Sequence, residues 1–226
     1  MPVHLKIEIE KLKKKILLLS EIVEDRVKSA LKAADERDEA LARKIINEDV
    51  EIDRFEVEIE EDCLKILALH QPVAIDLRFI IAILKINNDL ERIADLAVNI
   101  AEKVTILASK KRVEAAAGFP GMADKTYGML RKSLQALIKM DSAIAREVIV
   151  TDDEVDTINR EIYDWTKERI RESPENITQL LTNLSISRHL ERIADQATNI
   201  AEDVIYMIEG EIVRHKEISG LNPFEG

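Results

Sequence analysis

The amino-acid sequence predicts an all-α protein built from two tandem three-helix bundles that are related by an internal repeat. Glycine and proline are scarce, with 6 and 5 copies among 226 residues, and aromatic side chains make up only 4%. Sheet proteins usually contain more turn-forming, β-branched and aromatic residues than this. Apolar side chains recur at the spacing of an amphipathic helix almost from end to end. A segment of thirteen residues also recurs in the second half of the chain.

Breaks in the helical periodicity divide the first half into three helices. The first covers about residues 3–36, and the second opens after the N-cap candidate Asp38 and runs to about residue 70. Pro72 suits the first turn of the third helix, which we expect to continue to about Ala116. The segment Gly118-Phe119-Pro120-Gly121 then reads as the linker between the halves.

The second half follows the same order. A fourth helix is predicted over about 122–140, and Asp141 is the N-cap candidate of a fifth helix that runs to about residue 172. Ser173-Pro174 opens a sixth helix that reaches about Lys216, and the tail around 220–223 is expected to be disordered or loosely held. Residues 1–117 and 118–226 therefore form two repeats, each an antiparallel bundle of the spectrin-repeat type.

The internal repeat is clearest in the third and sixth helices. Residues 90–102, LERIADLAVNIAE, return as residues 190–202, LERIADQATNIAE, with two differences in thirteen positions. Each copy carries an apolar seam at three-and-four spacing, which is typical of a helix packed along its length. The seam residues are Ile86, Leu90, Ile93, Ala97, Ile100, Val104 and Leu107, repeated as Ile186, Leu190, Ile193, Ala197, Ile200 and Val204.

A polar stripe runs beside each seam, because residues four apart share a helix face. The stripes consist of Asn88, Glu91, Asp95, Asn99 and Glu102, and of Arg188, Glu191, Asp195, Asn199 and Glu202. Like charges at this spacing are mildly destabilising. The stripe is therefore either a solvated acidic face, which is common in so acidic a chain, or one side of a binding site.

The turns of the two hairpins bring further acids to each stripe, provided that the stripes face each other. Asp49 lies as far before Pro72 as Asp95 lies after it, and Asp53 and Glu91 are placed in the same way. Residues equally far from the turn of an antiparallel hairpin sit at the same height. Around the turn at residues 173–174, the same counting pairs Asp152 with Asp195 and Asp156 with Glu191.

Four carboxylates that converge on one patch would repel each other or hold protons, unless a multivalent cation lay between them. Oxygen ligands favour Fe³⁺, Mn²⁺, Mg²⁺ or Ca²⁺, and four carboxylates could bridge more than one ion. A bare acidic face remains the alternative. The candidate metal ligands are Asp49, Asp53, Glu91, Asp95, Asp152, Asp156, Glu191 and Asp195.

Composition and motifs narrow the classes of function. A net charge of −11 repels nucleic acid and anionic lipid, and we interpret the basic run at 11–15 as a solvated helix face. The N-terminus lacks a signal-peptide pattern, and the longest strongly apolar run, 79–84, is too short to span a bilayer. We therefore expect a cytoplasmic protein that binds no nucleic acid and reaches a membrane only through partners. The single cysteine, Cys63, is expected in the core.

No motif of an enzyme is present. The chain lacks a glycine-rich phosphate loop, a nucleophile elbow and the Cys/His spacing of a metal site. The Glu-x-x-His pattern of di-iron bundles is also absent, and the four histidines are dispersed. We expect no catalytic residue and no enzymatic activity. A carboxylate-bridged metalloenzyme and a purely structural helical adaptor are the alternatives.

The duplicated Glu-Arg-Ile-Ala-Asp motif, together with Gln71–Arg78 (QPVAIDLR), resembles the PhoU family of phosphate transport regulators over about residues 5–217. The resemblance implies two three-helix bundles, a homodimer, and a multinuclear metal cluster, commonly of iron or zinc, on the eight carboxylates. It also implies a non-catalytic negative regulator of phosphate uptake and of the phosphate regulon. Its partners would be the ATPase of a phosphate ABC transporter and a membrane sensor histidine kinase. Ala94 and Ala194 stand where many members have glycine, and the Gln71–Arg78 element is not duplicated.

Overall fold

Seven α-helices and one short 3₁₀ turn are found in the computed structural model, which describes residues 3–48 and 50–213 and has no strand within them. The predicted all-helical class is confirmed. The helices are α1 (Val3–Glu36), α2 (Glu39–Asn47), α3 (Val50–His70), α4 (Ala74–Ala108), α5 (Phe119–Lys139), α6 (Ser142–Glu172) and α7 (Ile177–Glu209), with the 3₁₀ turn at Pro174–Asn176.

Both predicted N-caps are confirmed. The side chain of Asp38 accepts a hydrogen bond from the backbone N–H of Leu41 at 2.9 Å, and Asp141 caps α6 in the same way. Each cap follows a residue with positive φ, Arg37 at 55° and Met140 at 52°, which ends the preceding helix. The turn before the second helix of each repeat, α2 in the first and α6 in the second, therefore has the same construction.

The predicted second helix is in fact two helices, α2 and α3. The guanidinium of Arg26 on α1 donates a hydrogen bond of 2.8 Å to the carbonyl of Glu48, just after α2 ends. A side chain from another helix thus satisfies a carbonyl that would otherwise need the helix to continue. The equivalent helix of the second repeat, α6, is unbroken.

Three further boundaries differ from the prediction. α4 ends at Ala108 rather than at about 116, because Arg37 donates to the carbonyls of Leu107 at 3.4 Å and Lys110 at 3.2 Å. Residues 119–121 of the predicted linker form the first turn of α5, where a proline is tolerated because its backbone nitrogen would have no hydrogen-bond partner there. The linker is therefore residues 109–118.

The last helix also ends earlier than expected. α7 stops at Glu209 rather than at about 216, since Gly210 adopts φ 77° and closes the helix. The predicted tail at 220–223 lies outside the described residues. None of the described helices is long and apolar enough to cross a membrane.

The centre of the molecule is the pair α4 and α7. These two helices make the most extensive contact between elements, while α4 also packs on α1, α2 and α3, and α7 on α5 and α6. Contacts of Arg78 with Gly210 and of Lys85 with Asp203 show that α4 and α7 run antiparallel. Every residue of both predicted seams is buried, and one hydrophobic cluster spans both repeats. The two bundles therefore share a single core.

Candidate metal centre

The α3–α4 hairpin has the predicted register to within one residue. The side-chain amide of Asn87 on α4 donates a hydrogen bond of 2.9 Å to the carbonyl of Glu56 on α3. Counting outward from this contact brings Asp53 to about the level of Glu91. Asp49 lies outside the described residues, so the structure describes three of the four predicted ligands of this half.

A first acidic cluster, made of Asp53, Glu56, Glu91 and Asp95, occupies this level. Burial raises the pKa of Glu91, and the carboxylates of Asp95, Glu56 and Asp53 raise it further. Arg92 lowers it and lies 3.7 Å from the carboxylate of Asp95. Glu56 was missed by the sequence prediction, although it lies three residues after Asp53 and so on the same helix face.

The α6–α7 hairpin repeats this register. The hydroxyl of Ser187 on α7 donates to the side-chain oxygen of Asn159 on α6 at 3.0 Å. From this contact Asp156 falls within one residue of the level of Glu191, as predicted from the turn at residues 173–174. The predicted pairing of the hairpins therefore holds in both halves.

The second acidic cluster consists of Asp152, Asp156, Glu191 and Asp195. Burial raises the pKa of Asp152 to about 6, with help from the carboxylates of Asp195 and Asp156. The pKa of Asp195 also rises to about 6, first through burial and then through Glu191 and Asp156. Burial and the nearby Asp156 raise the pKa of Glu191 as well. The four carboxylates therefore repel one another across the two helices.

One oxygen of this cluster is left without a partner. Oδ1 of Asp152 and Oγ1 of Thr198 are both buried and neither forms a hydrogen bond. The Thr198 hydroxyl is close enough to oppose the pKa rise of Asp152, but the two groups do not meet hydrogen-bond geometry. A buried acceptor without a donor costs about 1–3 kcal/mol, and a water or a cation commonly satisfies it.

The clusters are not assembled coordination shells. Within residues 3–48 and 50–213, no group of three or more His, Cys, Asp or Glu side chains is arranged to hold a metal ion. Their donors are carboxylate oxygens, which fit a hard cation. To coordinate one ion, these side chains would have to rotate towards a common point.

Burial shifts the pKa values of one histidine, His189, and of the single cysteine, Cys63. Burial, followed by the positive charges of Lys103, Arg192 and Arg92, lowers the pKa of His189. Cys63 is buried in the core, as predicted, and burial raises the pKa of its thiol to about 12. A thiol with so high a pKa stays protonated at neutral pH, so Cys63 is not poised to provide a soft metal ligand.

The shared core, the two equivalent hairpins and their matched acidic clusters define an internally duplicated helical scaffold that bears carboxylates on each half. A family model described as the PhoU domain matches this chain twice, over residues 16–104 and again over 119–204. The chain belongs to the PhoU domain family, which confirms the resemblance seen in the sequence.

Named relatives agree with this assignment over nearly the whole chain. A phosphate-specific transport system accessory protein PhoU homolog from Aquifex aeolicus is 36% identical over 93% of this chain and 96% of its own length. The crystal structure of PhoU from Pseudomonas aeruginosa superposes with a TM-score of 0.88 at 32% identity, covering 91% of this chain and 99% of that one. The phosphate transport system regulatory protein PhoU from Streptococcus pneumoniae superposes with a TM-score of 0.82 at 31% identity, over 92% and 99% of the two chains.

Proposed function

We propose that this chain is a non-catalytic, metal-binding negative regulator of phosphate uptake and of phosphate-regulon signalling. The observation that carries the proposal is the match of both repeats to the PhoU domain. Relatives that are 36% identical over 211 residues and 35% identical over 215 residues are named as accessory proteins of the phosphate-specific transport system. An accessory role in phosphate transport is therefore the function that the family membership supports best.

The partners in this proposal are proteins. The chain would act in the cytoplasm as a homodimer, through the ATPase of a phosphate ABC transporter and a membrane sensor histidine kinase. Two observations support protein partners rather than direct membrane or nucleic-acid binding. The described helices include none that could cross a membrane, and the net charge of −11 disfavours nucleic acid.

In this proposal the two acidic clusters bind cations. The ligands would be Asp152, Asp156, Glu191 and Asp195 in the second half, and Asp49, Asp53, Glu91 and Asp95 in the first. The raised pKa values and the unpartnered Oδ1 of Asp152 support a cation at the second cluster. The bound ion would supply the positive charge that relieves the repulsion between the carboxylates. Oxygen ligands suit ferric iron, manganese or magnesium, and the family resemblance favours iron or zinc.

The regulatory role is tested in the source cell. Phosphate uptake is measured with radioactive phosphate in phosphate-replete cells with and without the gene. Loss of a negative regulator raises uptake, and a plasmid copy of the wild-type gene restores the lower rate. Uptake that stays the same without the gene would contradict the proposal.

The metal sites are tested by elemental analysis of purified protein. The double variants Glu91→Ala/Asp95→Ala and Glu191→Ala/Asp195→Ala should each lose the metal of one half. A matched control, Glu161→Ala/Asp164→Ala, removes two exposed acids of α6 outside the cluster and should retain wild-type content. Metal content that is unchanged in both cluster variants would rule out the site.

The same variants separate the alternative functions. A carboxylate-bridged metalloenzyme would turn over a phosphoester or a peroxide when loaded with metal, and the cluster variants would lose that turnover. A purely structural adaptor would keep its stability and its partners in the presence of a chelator.

A further inference from the structure

The basic run at residues 11–15 lies in the first half of α1, outside the proposed metal sites. Residues 3–18 contain five lysines and only two glutamates. Lys11 and Lys13 each pair with a glutamate one turn earlier on the same helix. Lys14 is exposed and, among the described residues, makes no ion pair. The outer side of this part of α1 therefore presents positive charge to the solvent.

The outer side of α3 carries the opposite charge. Val50–His70 contains seven acidic residues, and Arg54 and Lys65 are its only lysine or arginine residues. Glu58 and Asp62 take part in ion pairs. Four other acids of α3 are exposed and form no ion pair with any described residue: Glu51, Asp53, Glu60 and Glu61. A surface with this charge attracts a basic partner.

Aliphatic side chains are exposed on the outer sides of both helices. On α1, Ile7 is 47% and Leu18 is 45% exposed. On α3, Val50, Val57 and Leu64 follow one another at a spacing of seven residues, which places them on one face of the helix. They are 75%, 49% and 54% exposed. Apolar side chains that line up on a charged surface are typical of an interaction site.

α1 and α3 lie side by side and run in opposite directions. At one end of the pair, Arg26 of α1 contacts the carbonyl of Glu48, just before α3 begins. At the other end, His4 at the start of α1 and His70 at the end of α3 line one cavity of about 320 Å³. The order of these contacts is reversed between the two helices, so the pair is antiparallel.

The contacts of Lys15 define the register of this pair. Its ammonium group lies 3.7 Å from the carboxylate of Glu58 and 2.6 Å from the carboxylate of Asp62, one turn further along α3. Lys15 is therefore level with a point midway between these two acids. Counting one residue at a time from this level gives two pairs of equal height: Lys14 with Glu61, and Leu18 with Val57.

A twofold axis parallel to the two helices would turn these levels into contacts between two copies of the chain. Rotation about such an axis keeps every residue at its height and places α1 of one copy over α3 of the other. Lys14 of one copy then faces Glu61 of the second copy, and Leu18 faces Val57. Both pairs occur twice, because the two halves of a twofold interface are the same.

The two helices present enough surface for a specific contact. Helices of about 20 residues that pack about 10 Å apart offer roughly 30 Å by 20 Å, or about 600 Å² on each copy. The total of about 1,200 Å² is at the lower end of the range for specific protein–protein interfaces. Pairing of these surfaces can therefore form a dimer.

The second repeat does not reproduce this surface. α5 begins at Phe119, whose position is equivalent to residue 16, so residues 3–15 of α1 have no helical counterpart. The positions of α6 that are equivalent to the three exposed aliphatic residues of α3 are charged: Asp153, Arg160 and Lys167. Each chain thus has one such surface, and pairing it with itself closes the assembly at two copies.

We propose that the outer side of α1 and α3, which we call the α1–α3 face, binds the same face of a second copy of this chain. α1 of each copy packs on α3 of the other, with Leu18 against Val57 and Lys14 beside Glu61. Charge complementarity selects this arrangement, because packing α1 on α1 or α3 on α3 would bring like charges together. The inference rests on the proposed function, which includes a homodimer, and identifies the surface that forms it.

The test is sedimentation equilibrium of the purified full chain over a range of protein concentrations, at low and at high salt. The wild type should form a dimer whose dissociation constant rises with salt. Lys14→Glu and Glu61→Lys should each raise that constant about tenfold or more, because each change brings like charges together twice. An equimolar mixture of these two variants should dimerise again, since every reversed charge then meets an opposite one.

Two matched controls come from α6. Asp164 is at the position equivalent to Glu61, and Val150 is 52% exposed, close to the 49% of Val57. Asp164→Lys and Val150→Glu should therefore dimerise as the wild type does. Val57→Glu should raise the dissociation constant about tenfold or more, because it places a carboxylate within the apolar contact. Circular dichroism verifies that every variant is folded.

The outcomes separate this face from the wider proposal. A wild-type dimer that Lys14→Glu, Glu61→Lys and Val57→Glu all leave unchanged would overturn the α1–α3 face and keep the homodimer. A wild-type chain that stays monomeric would overturn both. If the mixture of the two charge variants stayed monomeric, α1 would not pack on α3 of the other copy.

Other occupants of the α1–α3 face give different results. If removal of residues 214–226 abolished the dimer, that segment would form the contact. If Val57→Glu kept the dimer but lost binding to the immobilised ATPase of the phosphate transporter, the face would belong to that protein. Either result would overturn the pairing of α1 with α3 of a second copy.

Discussion

In the metal-free protein, the second acidic cluster should make the folded state less stable as the pH rises from about 4 to about 7. The pKa values of Asp152 and Asp195 are both raised from 3.8 to about 6, first by burial and then by neighbouring carboxylates. Between these two values the folded state binds more protons than the unfolded state. Stability is therefore highest below the unfolded value and is lost as the pH rises through the folded value.

The size of this effect follows from the two pKa values. A rise from 3.8 to about 6 corresponds to about 3 kcal/mol for an isolated, fully buried carboxyl group. Both side chains are partly exposed, and water screens their repulsion, so we expect about 1 kcal/mol from each. Against a typical total stability of about 5–15 kcal/mol, this difference is measurable.

Asp195→Asn isolates the contribution, because asparagine keeps the shape of the side chain and removes its charge. Urea unfolding with a chelator present gives the free energy of unfolding for both proteins at several pH values. The variant should match the wild type at about pH 4 and exceed it by about 1 kcal/mol at pH 7. Added Mn²⁺ should raise the stability of the wild type more than that of the variant.

Asp164→Asn is the matched control, since Asp164 is an exposed aspartate of α6 outside the cluster. Its difference from the wild type should not vary with pH. If the difference between Asp195→Asn and the wild type were equally constant, the carboxylates would not repel one another as described. That result would refute the reasoning for both pH dependence and cation binding at this cluster.

Three further measurements test the fold. Gly210→Ala should cost about 1 kcal/mol in urea unfolding, because φ is 77° and the new Cβ would press on Arg78. Lys85→Met should cost about 2 kcal/mol in thermal unfolding, because it removes the ammonium group that lies 3.1 Å from the carboxylate of Asp203. The side chain of Asp203 is only 2% exposed. Cys63 should react with a thiol reagent at neutral pH only as fast as the chain opens, because the thiol is buried with a pKa of about 12.

For each of these three measurements, one outcome would contradict the expectation. Wild-type stability in Gly210→Ala would mean that Arg78 does not press on this corner. An unaffected melting temperature in Lys85→Met would mean that the ion pair does not join α4 to α7. Labelling of Cys63 much faster than unfolding would place its thiol outside the core.

Local signals predicted the helices and their starts. Asp38 and Asp141 were identified as caps because a side chain that bonds to the next backbone N–H groups acts within one turn. The break after α2 and the end of α4 had no such signal, since neither has a glycine or proline at the boundary. Arg26 and Arg37 determine them through contacts with distant carbonyls, which no pattern of neighbouring residues reveals.

The register of the acidic clusters was also predictable, because equal spacing from a turn fixes height in an antiparallel hairpin. The extent to which each carboxylate is buried was not predictable. Asp156 is half-buried, whereas Asp53, its counterpart in the first half, is exposed. This difference depends on how closely α6 and α3 lie against their neighbours, and spacing carries no information about that distance.

The antiparallel pairing of α4 with α7 resembles the interface of a symmetric dimer whose two subunits have been joined into one chain. In a true homodimer, each favourable contact on one side of the axis must also occur on the other. Joining the subunits removes this constraint. The pair Lys85–Asp203 stands on one side only, since the equivalent positions of the repeat are Ser185 and Lys103, which cannot form the same ion pair. The molecule therefore has two chemically different faces, and a partner can distinguish one orientation of the chain from the other.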